Sequence, residues 1–358
     1  MSHHYLFFCS HSYAVPILRP LQREILRRGD QVAWFLETTC PKQMLKETDL
    51  QLRTLKEVEE WNPRAVFVPG NRVCDFFPGV KVEIFHGYPI NKRNRVHDTH
   101  FRLRGWFDLY CTQGPSSTLP FLQLAKEKKY FKVYETGWAK TDDLISVKEQ
   151  QKKMPKGANH TPEIFVATTF SKGISSLDIL YDTIAELVER RDWRWKITMH
   201  PVLKDKKLRA KYAQLAQTHD NVEFYPITPP VEVMAQTDVM LCDASSIILE
   251  YMLLDKPVVT YHNTAPGPHL IDVKEVGEVE QAIEKALTRP QALFDAMHQY
   301  LEKHEAHRDG HNCARILDAV EDFITNQQNT LKPKPQNLFR RMMIRYQYWK
   351  QTYLPQRV

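Results

Sequence analysis

No apolar run in this chain approaches the roughly 20 residues that a membrane-spanning helix needs, which excludes a multi-span membrane protein. The first apolar stretch, Tyr5 to Cys9, has no basic segment before it and no small-residue cleavage site after it. No signal peptide is therefore expected. No C-x-x-C pair occurs among the six cysteines, Cys9, Cys40, Cys74, Cys111, Cys242 and Cys313. Several of them sit inside apolar, strand-like runs. That usage predicts reduced, buried thiols of a cytoplasmic protein, and argues against a disulfide frame or a zinc site. The patterns G-x-G-x-x-G and G-x-x-x-x-G-K-[ST] are both missing, so the dinucleotide-fingerprint and P-loop readings lose their main support. No repeat with a period of 20–50 residues suggests a solenoid.

What is present is an ordinary globular composition. Of 358 residues, 42% are hydrophobic and 26% charged. The length suggests two domains with real cores. The formal net charge of +6 is mild, so its distribution matters more than its size.

Short apolar runs alternate with amphipathic stretches. Strands are expected at His4–Ser10, Gln31–Glu37, Ala65–Pro69, Val82–His86, Leu109–Thr112 and Phe131–Thr136. Ala14–Arg28 carries Val15, Leu18, Leu21, Ile25 and Leu26 on one helical face, and Gly29 ends it. Ser146–Pro162 is polar and lysine-rich, with Pro and Gly, the composition of a linker. The alternation then restarts, with strands at Ile164–Thr168, Trp195–Met199, Val222–Tyr225, Val239–Cys242 and Val258–Tyr261. Helices are expected at Leu177–Arg190, Lys204–Thr218 and Ser245–Leu254, and helical patterns dominate from Val279. Two such runs predict an α/β chain of two Rossmann-like domains facing across a cleft, 1–150 and 151–330, with a basic helix at 331–358. Ligands of such sheets bind beyond the carboxyl ends of the strands.

Three stretches carry chemistry. In Cys242–Tyr261 a strand runs into Asp243, then Ser245 and Ser246, then a helix. Unpaired N–H groups and two hydroxyls suit phosphate there, and Glu250 lies on the Ser246 face, where it could accept from a ribose hydroxyl. Asp243 or Ser245 serves equally as a helix N-cap. In Phe85–Arg95, His86 ends a strand and Gly87 lets the chain turn; a histidine there can act as a base at neutral pH. In Lys196–Pro201, His200 repeats that placement in the second half.

Phe85-His86-Gly87, Thr136-Gly137 followed by Asp142-Asp143-Leu144, Met199-His200-Pro201, the Asp243/Ser245/Ser246/Glu250 cluster and Arg308-Asp309-Gly310 with Arg315 occur in that order. In this the chain resembles the CDP-glycerol glycerophosphotransferase family, the teichoic-acid primases and polymerases, over about residues 84–320. The resemblance implies a GT-B-like fold and transfer of a polyol phosphate, glycerol phosphate above all, from a CDP-activated donor to a glycan or lipid-linked hydroxyl. It implies no metal and no cofactor beyond the CDP-polyol. His86 would be the base and His200 a catalytic contact to the donor diphosphate. Asp243, Ser245, Ser246, Glu250, Arg308 and Arg315 would bind the donor. Where the family usually has a small hydroxyl residue after His-Gly, this chain has Tyr88. A glycosyltransferase using a UDP- or CMP-sugar on the same architecture is the alternative.

Two basic segments remain. Lys92, Arg93 and Arg95, directly after His86, suit a phosphate-bearing acceptor, or form a solvated charged loop. The tail from Leu331 has no acidic residue, and Leu338, Met342, Tyr346, Trp349 and Tyr353 recur at helical spacing. Such a helix can lie in an anionic membrane interface, on the inner face of the plasma membrane, or pack back on the first domain. No RNA-binding motif accompanies the charge, so nucleic acid is not an expected partner.

Overall fold

The structure is a computed structural model that describes residues 2–37, 40–89, 99–153, 157, 160–169, 174–199, 203, 205–226, 229 and 231–353. It divides into two compact units. One comprises 1–88, 99–142 and the chain from 304 onward; the other is built on 143–303.

The first unit runs β1 (His4–Cys9), α1 (Ala14–Arg27), β2 (Gln31–Leu36), β3 (Gln51–Leu52), α2 (Leu55–Trp61), β4 (Ala65–Val68), β5 (Val80–Glu83), β6 (Leu109–Thr112), α3 (Pro115–Lys128) and β7 (Lys132–Glu135). Among the described residues its sheet has seven strands, all parallel, in the order β3-β2-β1-β4-β5-β6-β7. A parallel sheet is covered on both faces, so its central strands are apolar throughout. Thus Leu6, opposite Ala33 and Val66, has no exposed surface, and neither do they. α1 ends at Gly29, whose φ of +79° a residue with a side chain adopts only at a cost. α2 starts on a Thr54–Glu57 capping box.

α4 (Thr141–Lys152) leads into the second unit. There follow β8 (Glu163–Ala167), α5 (Tyr181–Arg190), β9 (Arg194–Thr198), α6 (Lys206–Thr218), β10 (Val222–Tyr225), α7 (Val231–Gln236), β11 (Val239–Cys242), α8 (Ile247–Leu253), β12 (Val258–Tyr261), β13 (Ile271–Val273), α9 (Val279–Leu287) and α10 (Gln291–His304). Among the described residues six parallel strands take the order β10-β9-β8-β11-β12-β13. Trp195, Ile197, Leu241 and Ile283 centre its core. In each sheet the order reverses at one place, between β1 and β4 and between β8 and β11. Those switch points are where such sheets hold ligands.

The boundaries differ from those expected. The helices α11 (Asn312–Asp322) and α12 (Leu338–Tyr353) belong to the first unit, not to a second domain ending at 330. The first part of the expected linker is helix, because α4 continues through Ser146 to Lys152. β5 stops at Glu83, before His86, and α8 is shorter than Ser245–Leu254. β3 and β13, of two and three residues, carry no pattern long enough to read. Leu26, counted on the buried face of α1, is 55% exposed.

One face of α12 packs back on the first unit. Ile344 and Tyr348 are 4% exposed and join the cluster of Phe35, Phe76 and Phe77. The Tyr348 hydroxyl donates to Glu37 at 2.9 Å. The stripe Leu338, Met342 and Tyr346 stays exposed, with Phe339 and Met343 beside it. Tyr348→Ala, which empties a core position, should cost about 3–5 kcal/mol of stability in denaturant titration. A loss under about 1 kcal/mol would show that α12 does not dock in solution.

Candidate active site

In the first unit, His86 is exposed at the switch-point end of the sheet. Its Nδ1 lies 3.3 Å from the Pro69 carbonyl oxygen, just past β4. The Tyr13 ring, just past β1, is 5.2 Å from the His86 ring, and His11 stacks on Tyr13 at 5.3 Å. Sequence reading did not single out His11 or Tyr13. Their only signal was position after the first strand, which matters once the strand order is known.

The segment 85–88 is held from below. Phe85 has a φ of +59°, a left-handed backbone that is costly for a residue with a side chain. The Trp138 indole N–H donates to the Phe85 carbonyl at 3.1 Å, and the Gln113 amide donates to that of Gly87 at 2.8 Å. The Tyr88 hydroxyl donates to Glu305 at 2.6 Å. Glu305 has no exposed surface and also accepts from the Trp138 backbone N–H at 3.2 Å and the Asn312 amide at 2.9 Å. Burial pushes its carboxyl up from 4.5 to about 8, although its hydrogen bonds pull the other way.

The Thr-Gly and Arg-Asp-Gly motifs serve this arrangement. A Cβ on Gly137 would lie 2.4 Å from the Asn312 side chain, and one on Gly114 would lie 2.7 Å from the His304 backbone. Asp142 accepts from the backbone N–H groups of Asn312 and Cys313, each at 2.8 Å, and so caps α11. Arg315 pairs with Asp309, holding that carboxyl well below the usual range. Arg308 and Arg315 thus lie in the first unit.

A cavity of about 690 Å³ opens in the same unit, lined by Ser10, His11 and Tyr13 on one side. Arg72, Arg102, Arg104 and Arg340 supply cationic groups, and Trp106, Phe339 and Met343 an apolar wall. Glu37, the acidic residue of the lining, is engaged by Arg72 and Tyr348.

In the second unit, Asp243 follows β11 and is fully buried. It accepts from the backbone N–H groups of Thr169 (2.9 Å), Ser176 (3.3 Å) and Ala244 (2.6 Å). The Asn263 amide donates to its carbonyl at 2.6 Å. Asp243 therefore ties loops together. Ser245 (8% exposed) and Ser246 precede α8, and the side chain of Ser246, its N-cap residue, makes no capping hydrogen bond. Glu250 lies on α8 and is partly exposed. Among the described residues, the buried hydroxyls of Thr168, Thr169 and Ser176 have no hydrogen-bond partner. Sequence reading missed them, as it missed Asn263; no motif marks them. Lys256, in the Lys-Pro-Val-Val-Thr-Tyr stretch, is spent on the Thr237 carbonyl. His200, Lys92, Arg93 and Arg95 lie outside the described residues; β9, which leads to His200, ends at Thr198.

Two units, each a parallel α/β sheet with loops at its switch point, define a GT-B-like fold. Residues 127–322 match the CDP-glycerol:poly(glycerophosphate) glycerophosphotransferase family. That is more than half of the chain, and the chain belongs to this family, whose members transfer glycerol phosphate from CDP-glycerol. No curated protein matches it by sequence. Among solved structures it is similar to the S. aureus MnaA–UDP complex (TM-score 0.63, 16% identity, 94% of this chain and 99% of that one). It is also similar to UDP-GlcNAc 2-epimerase from Neisseria meningitidis bound to UDP-GlcNAc (0.61, 15%, 89% and 99%). The wall teichoic acid polymerase TagF, soaked with CDPG, gives a TM-score of 0.61 at 14% identity over 90% of this chain and 89% of that one.

The buried Glu305 yields a pH test. A carboxyl whose folded pKa is raised contributes stability below its ordinary value of 4.5 and loses it as pH rises towards about 8. Wild-type stability should therefore carry a downward contribution across that window, on the order of a few kcal/mol. Glu305→Gln should lack it. Parallel stability–pH curves for the two proteins would contradict the assignment.

Proposed function

We propose that the chain catalyses attack of an acceptor hydroxyl on the glycerol-bearing phosphorus of CDP-glycerol, in synthesis of a teichoic-acid-like surface polymer. Membership of the glycerophosphotransferase family carries this reading. The acceptor oxygen forms a bond to phosphorus, the bond from phosphorus to the bridging oxygen breaks, and CMP leaves. His86 takes the acceptor proton. Its exposure at the switch point and its neighbour Tyr13 support that role. Phosphoryl transfer depends on positioning and on stabilising charge at the leaving group. We assign the latter to Ser245 and Ser246, with the unpartnered hydroxyls of Thr168, Thr169 and Ser176 and with His200. Glu250 is assigned to the ribose. Arg308 remains a proposed donor contact; Arg315 is assigned to its ion pair with Asp309.

The acceptor is proposed to carry phosphate beside an apolar chain. The arginine-lined cavity next to Tyr13, with its Phe339 and Met343 wall, supports this, and Lys92, Arg93 and Arg95 are assigned to the same acceptor. Among the described residues no helix is long and apolar enough to cross a membrane. The exposed Leu338–Met342–Tyr346 stripe supports peripheral contact with an anionic surface on its cytoplasmic side.

Two experiments test this. In a thermal-shift panel, CDP-glycerol at 100 times its dissociation constant should add about 2.7 kcal/mol of stability; a shift with UDP- or CMP-sugars and none with CDP-glycerol would overturn the donor. Met342→Asp with Tyr346→Asp should weaken sedimentation with anionic vesicles without changing the melting temperature. Equal sedimentation would remove the membrane contact.

A further inference from the structure

The hydrogen bonds around His86 close a circuit. Starting before the histidine, the Phe85 carbonyl accepts from the Trp138 indole at 3.1 Å. The backbone N–H of that same Trp138 donates to Glu305 at 3.2 Å. Glu305 in turn accepts from the Tyr88 hydroxyl at 2.6 Å, and Tyr88 lies two residues after His86. One side chain, Glu305, thus ties together the backbone on both flanks of the histidine. We infer that Tyr88 and Glu305 are positioning residues for His86, acting as a buried clamp that holds an exposed base on an otherwise strained segment.

Four observations carry this. First, Phe85 is non-glycine at a φ of +59°. Such backbone persists only where surrounding contacts over-determine it. The Phe85 side chain is 2% exposed, stacked on His100 at 5.2 Å and packed on Phe121 at 5.3 Å. Second, among the described residues the hydrogen-bond partners of Glu305 are uncharged: Tyr88, Trp138, Asn312 and Thr141. A buried acid without a hydrogen-bonded cation is a costly way to stabilise a fold. Third, the clamp is rigid. The Tyr88 and Trp138 rings meet edge-on at 5.2 Å, Thr141 Oγ1 lies 3.1 Å from the Tyr88 hydroxyl, and Gln113 holds the Gly87 carbonyl at 2.8 Å. Fourth, His86 is exposed while Phe85 before it and Tyr88 two residues after it are buried. A reacting group that must meet substrate gains from support that is locked beneath it. This also accounts for a tyrosine after His-Gly: a small hydroxyl residue would not span to Glu305.

The inference rests on His86 as the base. The test separates the two. CMP release would be followed with CDP-glycerol as donor and a poly(glycerophosphate) oligomer as acceptor, for His86→Ala, Tyr88→Phe and the double variant. Tyr88→Phe should lower kcat roughly 10- to 100-fold, with KM for CDP-glycerol within about twofold of wild type. Added to His86→Ala, it should have little further effect, because both act through one group. Glu305→Gln, which keeps one acceptor oxygen, should retain more activity than Glu305→Leu. A full loss on His86→Ala with an unchanged kcat on Tyr88→Phe would overturn the clamp and leave the base intact. Loss on neither would overturn both. Equal losses from Tyr88→Phe with and without His86 would show that it acts elsewhere. Histidine ring NMR gives a readout that needs no acceptor. Tyr88→Phe should shift or broaden the His86 signal, identified by its absence in His86→Ala, and leave those of His262 and His298 in place. An unmoved His86 signal would overturn the inference.

Discussion

Two buried carboxyl groups hold the loops at the two switch points in place. In the first unit Glu305 accepts from Tyr88, Trp138 and Asn312 and fixes the segment bearing His86. In the second, Asp243 accepts from the backbone of Thr169, Ser176 and Ala244 and fixes the loops after β8 and β11. Both are fully buried. Each pays for its desolvation through several donors, and removing any donor leaves buried polar atoms unpaired. The loops at the two switch points are therefore constrained by polar bonds. The apolar cores beneath them fix the strands and leave the loops' own conformations undetermined.

This division explains what the sequence made legible. Parallel strands covered on both faces read as apolar runs, so β1, β2, β4, β6, β8, β9 and β11 were visible from composition alone. Asp243, Ser245, Ser246 and His86 could be named because each directly follows such a run. Glu305 could not. It sits in a hydrophilic stretch, and its partners Tyr88, Trp138 and Asn312 are spread over more than two hundred positions of sequence. Nothing in period or spacing brings those together; only the return of α11 to the first unit does.

The motifs that carried the family resemblance acquire distinct physical roles. Gly137 makes room for Asn312. Asp142 caps α11 and Asp309 pairs with Arg315, so these two acids of the family motifs build the first unit. Asp243, expected on the donor or as an N-cap, is the knot of the second unit's loops. Several of these motif residues have structural partners, and the groups proposed for the chemistry are His86 in the first unit and serine and threonine hydroxyls in the second. The tail combines two readings in one helix. Ile344 and Tyr348 dock it, while Leu338, Met342 and Tyr346 remain outside.

The role proposed for His86 is to drive transfer from CDP-glycerol without holding the donor. Phosphorus NMR of the reaction, paired with calorimetric binding of CDP-glycerol, tests it most directly. The account predicts CMP and a new glycerol phosphodiester from the wild type. His86→Ala should slow that conversion at least about 100-fold and leave the CDP-glycerol dissociation constant within about twofold. Undiminished conversion by His86→Ala, or loss of donor binding in step with activity, would contradict it.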